Sequence, residues 1–325
     1  MHTPMTAHDN LHDAYRPEQL AGLLKGRDFK VCAMSYFDGM DKDHRALLSQ
    51  VKSACGGTLK HALFLMLSNR DPESGQTLVN SELLTPPERA CLLSDMGVQH
   101  IVPLFAGSDH TQKELFAGLL EEVCRSGTAG RLIPGADVWV LKPFLDALSC
   151  KATPDTRYRG VAWTAREQLI TLTKAGAMKT FSAQAGYFYP LTGKVVEGNR
   201  IGRKLGYPTA NLYTANTSKI LPAQGVYVVM ALLGGQWHQG MANIGIRPTL
   251  DLEHVTVEAH LFDFNEDVYG ETISLAFLDR IRDEMRFGSL AELKVQLDRD
   301  AVIARAVLSN TLPGIALDHL PLIRC

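Results

Sequence analysis

The hydrophobic period of this chain changes near Gly176–Gly186, and that change constrains its fold more than any other feature. Upstream, short apolar runs alternate with helical segments. Phe29–Met34, Ala62–Leu67 and His100–Leu104 read as strands; His44–Ala54, Pro86–Asp95, Gln112–Val123, Leu141–Leu148 and Thr164–Ala175 read as helices. Such alternation predicts a parallel sheet with crossover helices. Downstream, runs of period two separated by Gly, Pro and Asn turns occupy Gly193–Glu197, Gly225–Leu233, His238–Ile244, Val255–Phe264 and Thr272–Phe277. These predict a small antiparallel β-barrel. A final helix over Ser289–Leu308, with Leu290, Leu293, Leu297 and Ala301 at helical spacing, closes it. The 325 residues suffice for two cores. The expected layout is a lead-in over 1–24, an α/β domain over 25–182, a barrel domain over 183–310 and a tail over 311–325.

With a net charge of -2, 46% hydrophobic and 21% charged residues, neither nucleic acid nor an anionic membrane is expected as a partner. The N-terminus lacks the basic start and apolar run of a signal peptide, and no stretch approaches the roughly 18 apolar residues that span a bilayer. A cytoplasmic protein is expected. The six cysteines are scattered without a CxxC pair, which points to reduced thiols.

Two segments of the barrel domain carry candidate chemistry. Gly202–Asn211 reads GRKLGYPTAN. Glycines such as Gly202 and Gly206 let backbone approach a ligand, and Arg203 and Lys204 supply charge for phosphates. Thr209 and Asn211, in an extended chain, point the same way and offer oxygens to a hard cation such as Mg²⁺. No GxxxxGK[ST] string is present, so this is not a Walker A loop. Alone, the string also describes a glycine-rich surface turn. The second segment, Val255–Phe262, alternates Val255, Val257, Ala259 and Leu261 with Thr256, Glu258, His260 and Phe262 on the opposite face. A carboxylate in mid-strand is commonly just solvated. Phosphoryl transfer to an alcohol also needs an acceptor for the hydroxyl proton, and Glu258 is of the right type.

The string GRKLGYPTANL is followed by Gly225-Val226-Tyr227, Ala242–Thr249 (ANIGIRPT), Val257–Phe264 (VEAHLFDF), Tyr269-Gly270, Ile281–Glu284 (IRDE) and Arg286–Leu290 (RFGSL). This ordered set, from about Gly193 to Asp300, resembles the riboflavin kinase family. The resemblance implies that Thr209 and Asn211 hold Mg²⁺, or another divalent cation, together with the ATP phosphates. It implies that Glu258 takes the proton of the terminal ribityl hydroxyl of riboflavin. Gly202, Lys204, Gly206 and the turn to Pro208 would form a flap over the nucleotide. Arg282 and Phe287 would lie near the flavin, Arg282 being equally able to pair with Glu284 or cap local structure. ATP and riboflavin are the implied small-molecule partners and FMN the product.

The N-terminal half resembles the FMN adenylyltransferase domain that precedes this kinase in many bacterial bifunctional proteins, a nucleotidyltransferase-like, Rossmann-like parallel sheet. The family string GNFDGxHxGHxxLL falls on Ser35–Leu48. Phe37-Asp38-Gly39, His44 and Leu47-Leu48 match; Asp41 stands where the first histidine should be, and Asp43 replaces the glycine. Carboxylates there oppose ATP phosphates at a helix N-terminus. A like-charge contact near 4 Å costs about 4 kcal/mol at an effective dielectric of 20, roughly a thousandfold in affinity. Asp43 suits helix capping, and His44 reads as a surface residue. The family's GxDFRFG survives only as Gly135-Ala136-Asp137-Val138-Trp139, and its STxIR as Thr164-Ala165-Arg166-Glu167 with the arginine out of register. The expectation is a degenerate site of Asp38, Asp41, Asp43 and His44 without adenylyl transfer. A fully bifunctional FAD synthetase, a metal held by Asp41 and Asp43, and a non-catalytic flavin-binding regulator are the alternatives.

Overall fold

The computed structural model describes residues 29–68, 81–105, 118, 120, 132–135, 137, 162–198, 201–214, 216–248 and 253–311. The chain divides into two compact units, one ending at Gln168 and the other spanning Leu169–Arg324. None of the described helices is long and apolar enough to cross a membrane.

The first unit holds a parallel sheet of β1 (Val31–Ser35), β2 (Ala62–Ser68), β3 (Ile101–Phe105) and β4 (Leu132–Pro134), in the order β3-β2-β1-β4. Every residue of β1, β2 and β3 is buried, the pattern of strands covered on both faces. Helices α1 (Lys42–Ala54), α2 (Pro86–Asp95) and α3 (Ala162–Lys174) fall within two residues of their expected bounds. α2 starts at a capping box, Thr85 with Glu88, and proline at its first turn. The three residues of β4 are too few to show a period, so the sequence did not disclose this strand. The helix expected over Leu141–Leu148 lies outside the described residues, as does nearly all of that over Gln112–Val123. Order reverses between β1 and β4, and crevices in such sheets open beyond the carboxyl ends of the strands at that point. Cys32 and Cys55 are free thiols, but Cys91 is disulfide-bonded, against the expectation of uniformly reduced cysteines.

The second unit takes in the end of α3 and then α4 (Met178–Ala185), unpredicted from sequence, followed by β5 (Tyr189–Val196), α5 (Ile201–Lys204) and β6 (Ala210–Tyr213). Then come β7 (Gly225–Leu233), β8 (Gln236–Pro248), β9 (Glu253–Leu261), β10 (Thr272–Arg282) and α6 (Leu290–Thr311). The six strands close into an antiparallel barrel, β10-β5-β6-β9-β8-β7, with β10 paired to both β5 and β7. An aromatic group fastens α4 to the barrel: Phe181 meets Tyr189 edge-on at 5.2 Å, and Phe277 contacts both Tyr189 and Tyr227.

β7 is buried throughout because both its faces are covered. Val228 and Met230 join Met241, Phe262, Leu278 and the α6 residues Ala304 and Leu308 in one apolar cluster. Helix α6 thus lies across the outer face of the barrel, its last turns on apolar residues. Leu308 is fully buried there. Leu308→Ala should lower the unfolding free energy of this unit by about 2–5 kcal/mol, read as a shift of the urea midpoint at unchanged slope. A shift equivalent to less than about 0.5 kcal/mol would show that α6 is not part of the core.

Candidate active site

The face of the barrel that is apolar beneath the end of α6 turns polar beneath its start. Antiparallel register sets Asn211 of β6 opposite Glu258 of β9, Glu258 opposite Asn243 of β8, Asn243 opposite Val226 of β7, and Val226 opposite Arg282 of β10. Directly opposed residues share a face, so these five form one row across the barrel. All but Asn211 line a cavity of about 330 Å³, together with Gly202, Thr209, His260, Glu284, Phe287 and Leu297. That volume is at the lower end of small-molecule pockets.

The segment 201–209 forms one wall. Gly202 accepts hydrogen bonds at its carbonyl from Leu205 N (3.0 Å) and Tyr207 N (2.8 Å), and a Cβ there would collide with the Tyr207 carbonyl oxygen. Only glycine fits this approach. Gly206 turns the chain at φ 82°. Thr209 Oγ1 donates to Glu258 Oε2 at 3.1 Å, and Pro208 O lies 2.8 Å from His260 Nδ1. Tyr207 donates to Asp298 of α6 at 2.6 Å, and burial together with that bond pushes its phenol up to about 12.

Of the residues singled out from the sequence, Gly202, Thr209, Glu258, Arg282 and Phe287 meet around the cavity. Asn211 sits beside Glu258 in register with its amide against Gly198. Gly206 and Lys204 are exposed at the end of the flap. Arg282 pairs with Asp300 of α6, not Glu284: its Nε is 3.0 Å from both carboxylate oxygens and its Nη2 2.8 Å from Oδ2. Asp300 is fully buried and also accepts from Gln296. This pair fastens the middle of α6 to the outer face of the barrel, with the Arg282 guanidinium over the Phe287 ring at 5.8 Å. Asn243, His260 and Glu284 were not singled out. Their signal lay in the strings ANIG, EAHL and IRDE, but only pairing of distant strands brings them together.

The first unit carries a second cluster of charged residues at the carboxyl ends of β1 and β4. Asp41, not Asp43, caps α1, its Oδ1 accepting from Asp43 N (3.0 Å) and His44 N (3.2 Å). His44 is buried, contrary to its reading as a surface residue. Its Nδ1 is 2.9 Å from Asp41 Oδ1 and its Nε2 3.0 Å from Asp137 Oδ2. Burial opposes an imidazolium here, but hydrogen bonds and charge from Asp137 and Asp41 outweigh it and push the pKa up to about 10. Burial would likewise raise Asp41, yet its bonds with His44 hold it below the usual carboxylate range. Arg166, out of register in the sequence, is brought to the same loop: its Nε (2.9 Å) and Nη2 (2.6 Å) donate to Asp38 Oδ2. Asp38 Oδ1 accepts from Leu84 N. Asp137 supplies a third carboxylate near Asp41 and Asp43, but bonds Ser35, Tyr36 N and His44. No cluster of three or more His, Cys, Asp or Glu suited to a metal occurs among the described residues.

The His44 pKa lies above its unfolded value near 6.5, so its stabilisation is complete below about pH 6.5 and lost as pH rises through about 10. The melting temperature of the first unit should therefore fall between pH 7 and pH 10 in the wild type. In His44→Gln it should start lower and fall less over that range. Parallel curves would remove the buried imidazolium.

A family model described as Flavokinase, riboflavin kinase, matches residues 185–308. A bifunctional riboflavin kinase/FMN adenylyltransferase of Haemophilus influenzae is 38% identical over 123 residues, covering 38% of this chain and 39% of that protein. That similarity spans well under half of the relative. The counterpart in Listeria monocytogenes is 27% identical over 299 residues, covering 86% of this chain and 93% of that one. The crystal structure of a Streptococcus pneumoniae protein named a macrolide-efflux protein is similar with a TM-score of 0.63 and 28% identity, over 86% of this chain and 94% of that chain. With the barrel, its closing helix and the ordered motifs in place, residues 185–308 form a domain that matches the riboflavin kinase family.

Proposed function

We propose that the barrel unit transfers the γ-phosphoryl of ATP to the terminal ribityl hydroxyl of riboflavin, giving FMN and ADP. The observation that carries this reading is the Glu258–Thr209 pair, 3.1 Å apart in the wall of a cavity roofed by a glycine-rich flap. Glu258 accepts the proton of the attacking hydroxyl. Thr209, with Asn211 next to Glu258 in register, presents neutral oxygens toward the phosphate side. Such a donor set fits Mg²⁺, which keeps several waters and draws most of its protein-independent ligands from substrate phosphates. Bound there, the cation neutralises phosphate charge. Apolar Val226, Met241, Met285, Phe287 and Leu293 suit a flat aromatic ring, while Glu258, Asn243 and Glu284 can bond a polyol. Arg282, engaged by Asp300, supports Phe287 and the wall of the site.

We read the first unit as lacking FMN adenylyltransferase activity. The Asp41 carboxylate occupies the N–H donors at the start of α1, and Asp137 and Asp41 already neutralise His44. A triphosphate would have to displace these carboxylates or lie beside them, a contact costing about 4 kcal/mol per like-charge pair. The bifunctional reading draws support from the Listeria relative, whose similarity extends through the N-terminal half, and from Arg166 reaching the Asp38 loop.

Purified protein given riboflavin, ATP and Mg²⁺ should accumulate FMN without FAD on chromatography. FAD formation establishes the bifunctional reading; flavin binding without any FMN establishes a regulator. Glu258→Gln should lower kcat by about 10²–10⁴-fold while sparing riboflavin binding, and Asn211→Ala should abolish productive use of MgATP. Near-normal rates in both variants would refute the site.

A further inference from the structure

We infer that His260 is a positioning residue of the kinase site: it holds the Pro208–Thr209 backbone at a fixed distance from Glu258 when Thr209 lets go of that carboxylate. The inference rests on the kinase reading and extends it to a residue with no part in the chemistry.

Among the described contacts, two side-chain bonds link the flap to β9. One is Thr209 Oγ1 to Glu258 Oε2, and the other is His260 Nδ1 to Pro208 O at 2.8 Å. Glu258 and His260 are two apart on one strand and share a face. The first bond ends on the carboxylate assigned to the chemistry, and it is lost whenever the Thr209 hydroxyl gives its one hydrogen to a phosphate oxygen instead. The second bond involves neither reacting group, so it survives the exchange and sets where Thr209 lies.

The geometry also settles the histidine's tautomer. A carbonyl only accepts, so Nδ1 carries the hydrogen. Burial holds the His260 pKa below the ordinary imidazole value, which keeps the ring neutral, although the Pro208 bond works the other way. The ring is packed edge-on against Tyr207 (4.9 Å) and Phe262 (5.7 Å). Tyr207 is itself bonded to Asp298 of α6. The flap is therefore gripped by β9 on one side and α6 on the other, with His260 touching both grips.

The test uses the full-length protein and two variants. His260→Phe keeps a ring against Tyr207 and Phe262 but removes the donor; His260→Asn sacrifices the ring and places an N–H near the Nδ1 position. Steady-state kinetics with MgATP varied, riboflavin binding followed by fluorescence quenching, and the melting temperature are measured for each. His260→Phe should raise KM for MgATP roughly 3–10-fold, the equivalent of one hydrogen bond, with riboflavin affinity and melting temperature near wild type. His260→Asn should recover most of that loss. Unchanged MgATP kinetics in His260→Phe, equal losses of riboflavin and MgATP affinity, or no recovery in His260→Asn would overturn the inference. If His260→Phe does not fold, His260→Asn alone decides: KM for MgATP near wild type supports it and a raised KM overturns it. Wild-type protein that makes no FMN overturns the kinase reading and the inference with it, whereas an active wild type with insensitive variants overturns the inference alone.

Discussion

Closure of the six-stranded barrel is the constraint on which the candidate site depends. Because β10 pairs with β5 and with β7, each strand has a neighbour on both sides and a register fixed twice over. A one-residue slip anywhere would turn a whole strand over. It would carry Glu258 to the barrel interior and put Val257 or Ala259 in its place. The same register that buries Tyr227, Val257 and Phe277 inside therefore aligns Asn211, Glu258 and Asn243 outside. Stability of the core and position of the polar row are one property.

Helix α6 then makes the site concave. Its last turns sit on the apolar part of the outer face through Ala304 and Leu308, while its first turns hang over the polar part and contribute Leu293 and Leu297. The Arg282–Asp300 pair fixes that overhang. A fully buried carboxylate needs its partner, since removing one member leaves an unpaired charge in low dielectric. Arg282 thus matters to the cavity by holding the helix that forms its wall.

The two units use charge in opposite ways. Around His44, several charged groups are paired within the protein: Asp41 and Asp137 with the imidazolium, Arg166 with Asp38, Glu82 with Arg89. Such a network rigidifies the loop beyond β1 and the start of α1. In the barrel unit Glu258 accepts from the Thr209 hydroxyl of the flap and lines a cavity.

Much of this was legible in the sequence because it is local. The switch from period 3.6 to period two marked the two kinds of core, β7 and α2 were read with their observed bounds, and the GRKLGYPTAN and EAHLFDF strings pointed to Thr209, Asn211 and Glu258. β4 was too short to read, and β6 too short to mark except through the spacing of Thr209 and Asn211. What the sequence could not contain is partnership over distance. Arg282 with Asp300, His260 with Pro208, Arg166 with Asp38 and His44 with Asp137 join residues 18 to 128 positions apart. Asp43 as cap and His44 as a surface residue were mistaken for the same reason, since burial and hydrogen-bond geometry, not residue type, decide which of two nearby aspartates meets the helix N–H groups. Side-chain chemistry and periodicity, which travel with the chain, determined the kinds of domain and which strings were candidates for the site; the pairing of strands and the docking of α6 decided which of those side chains meet.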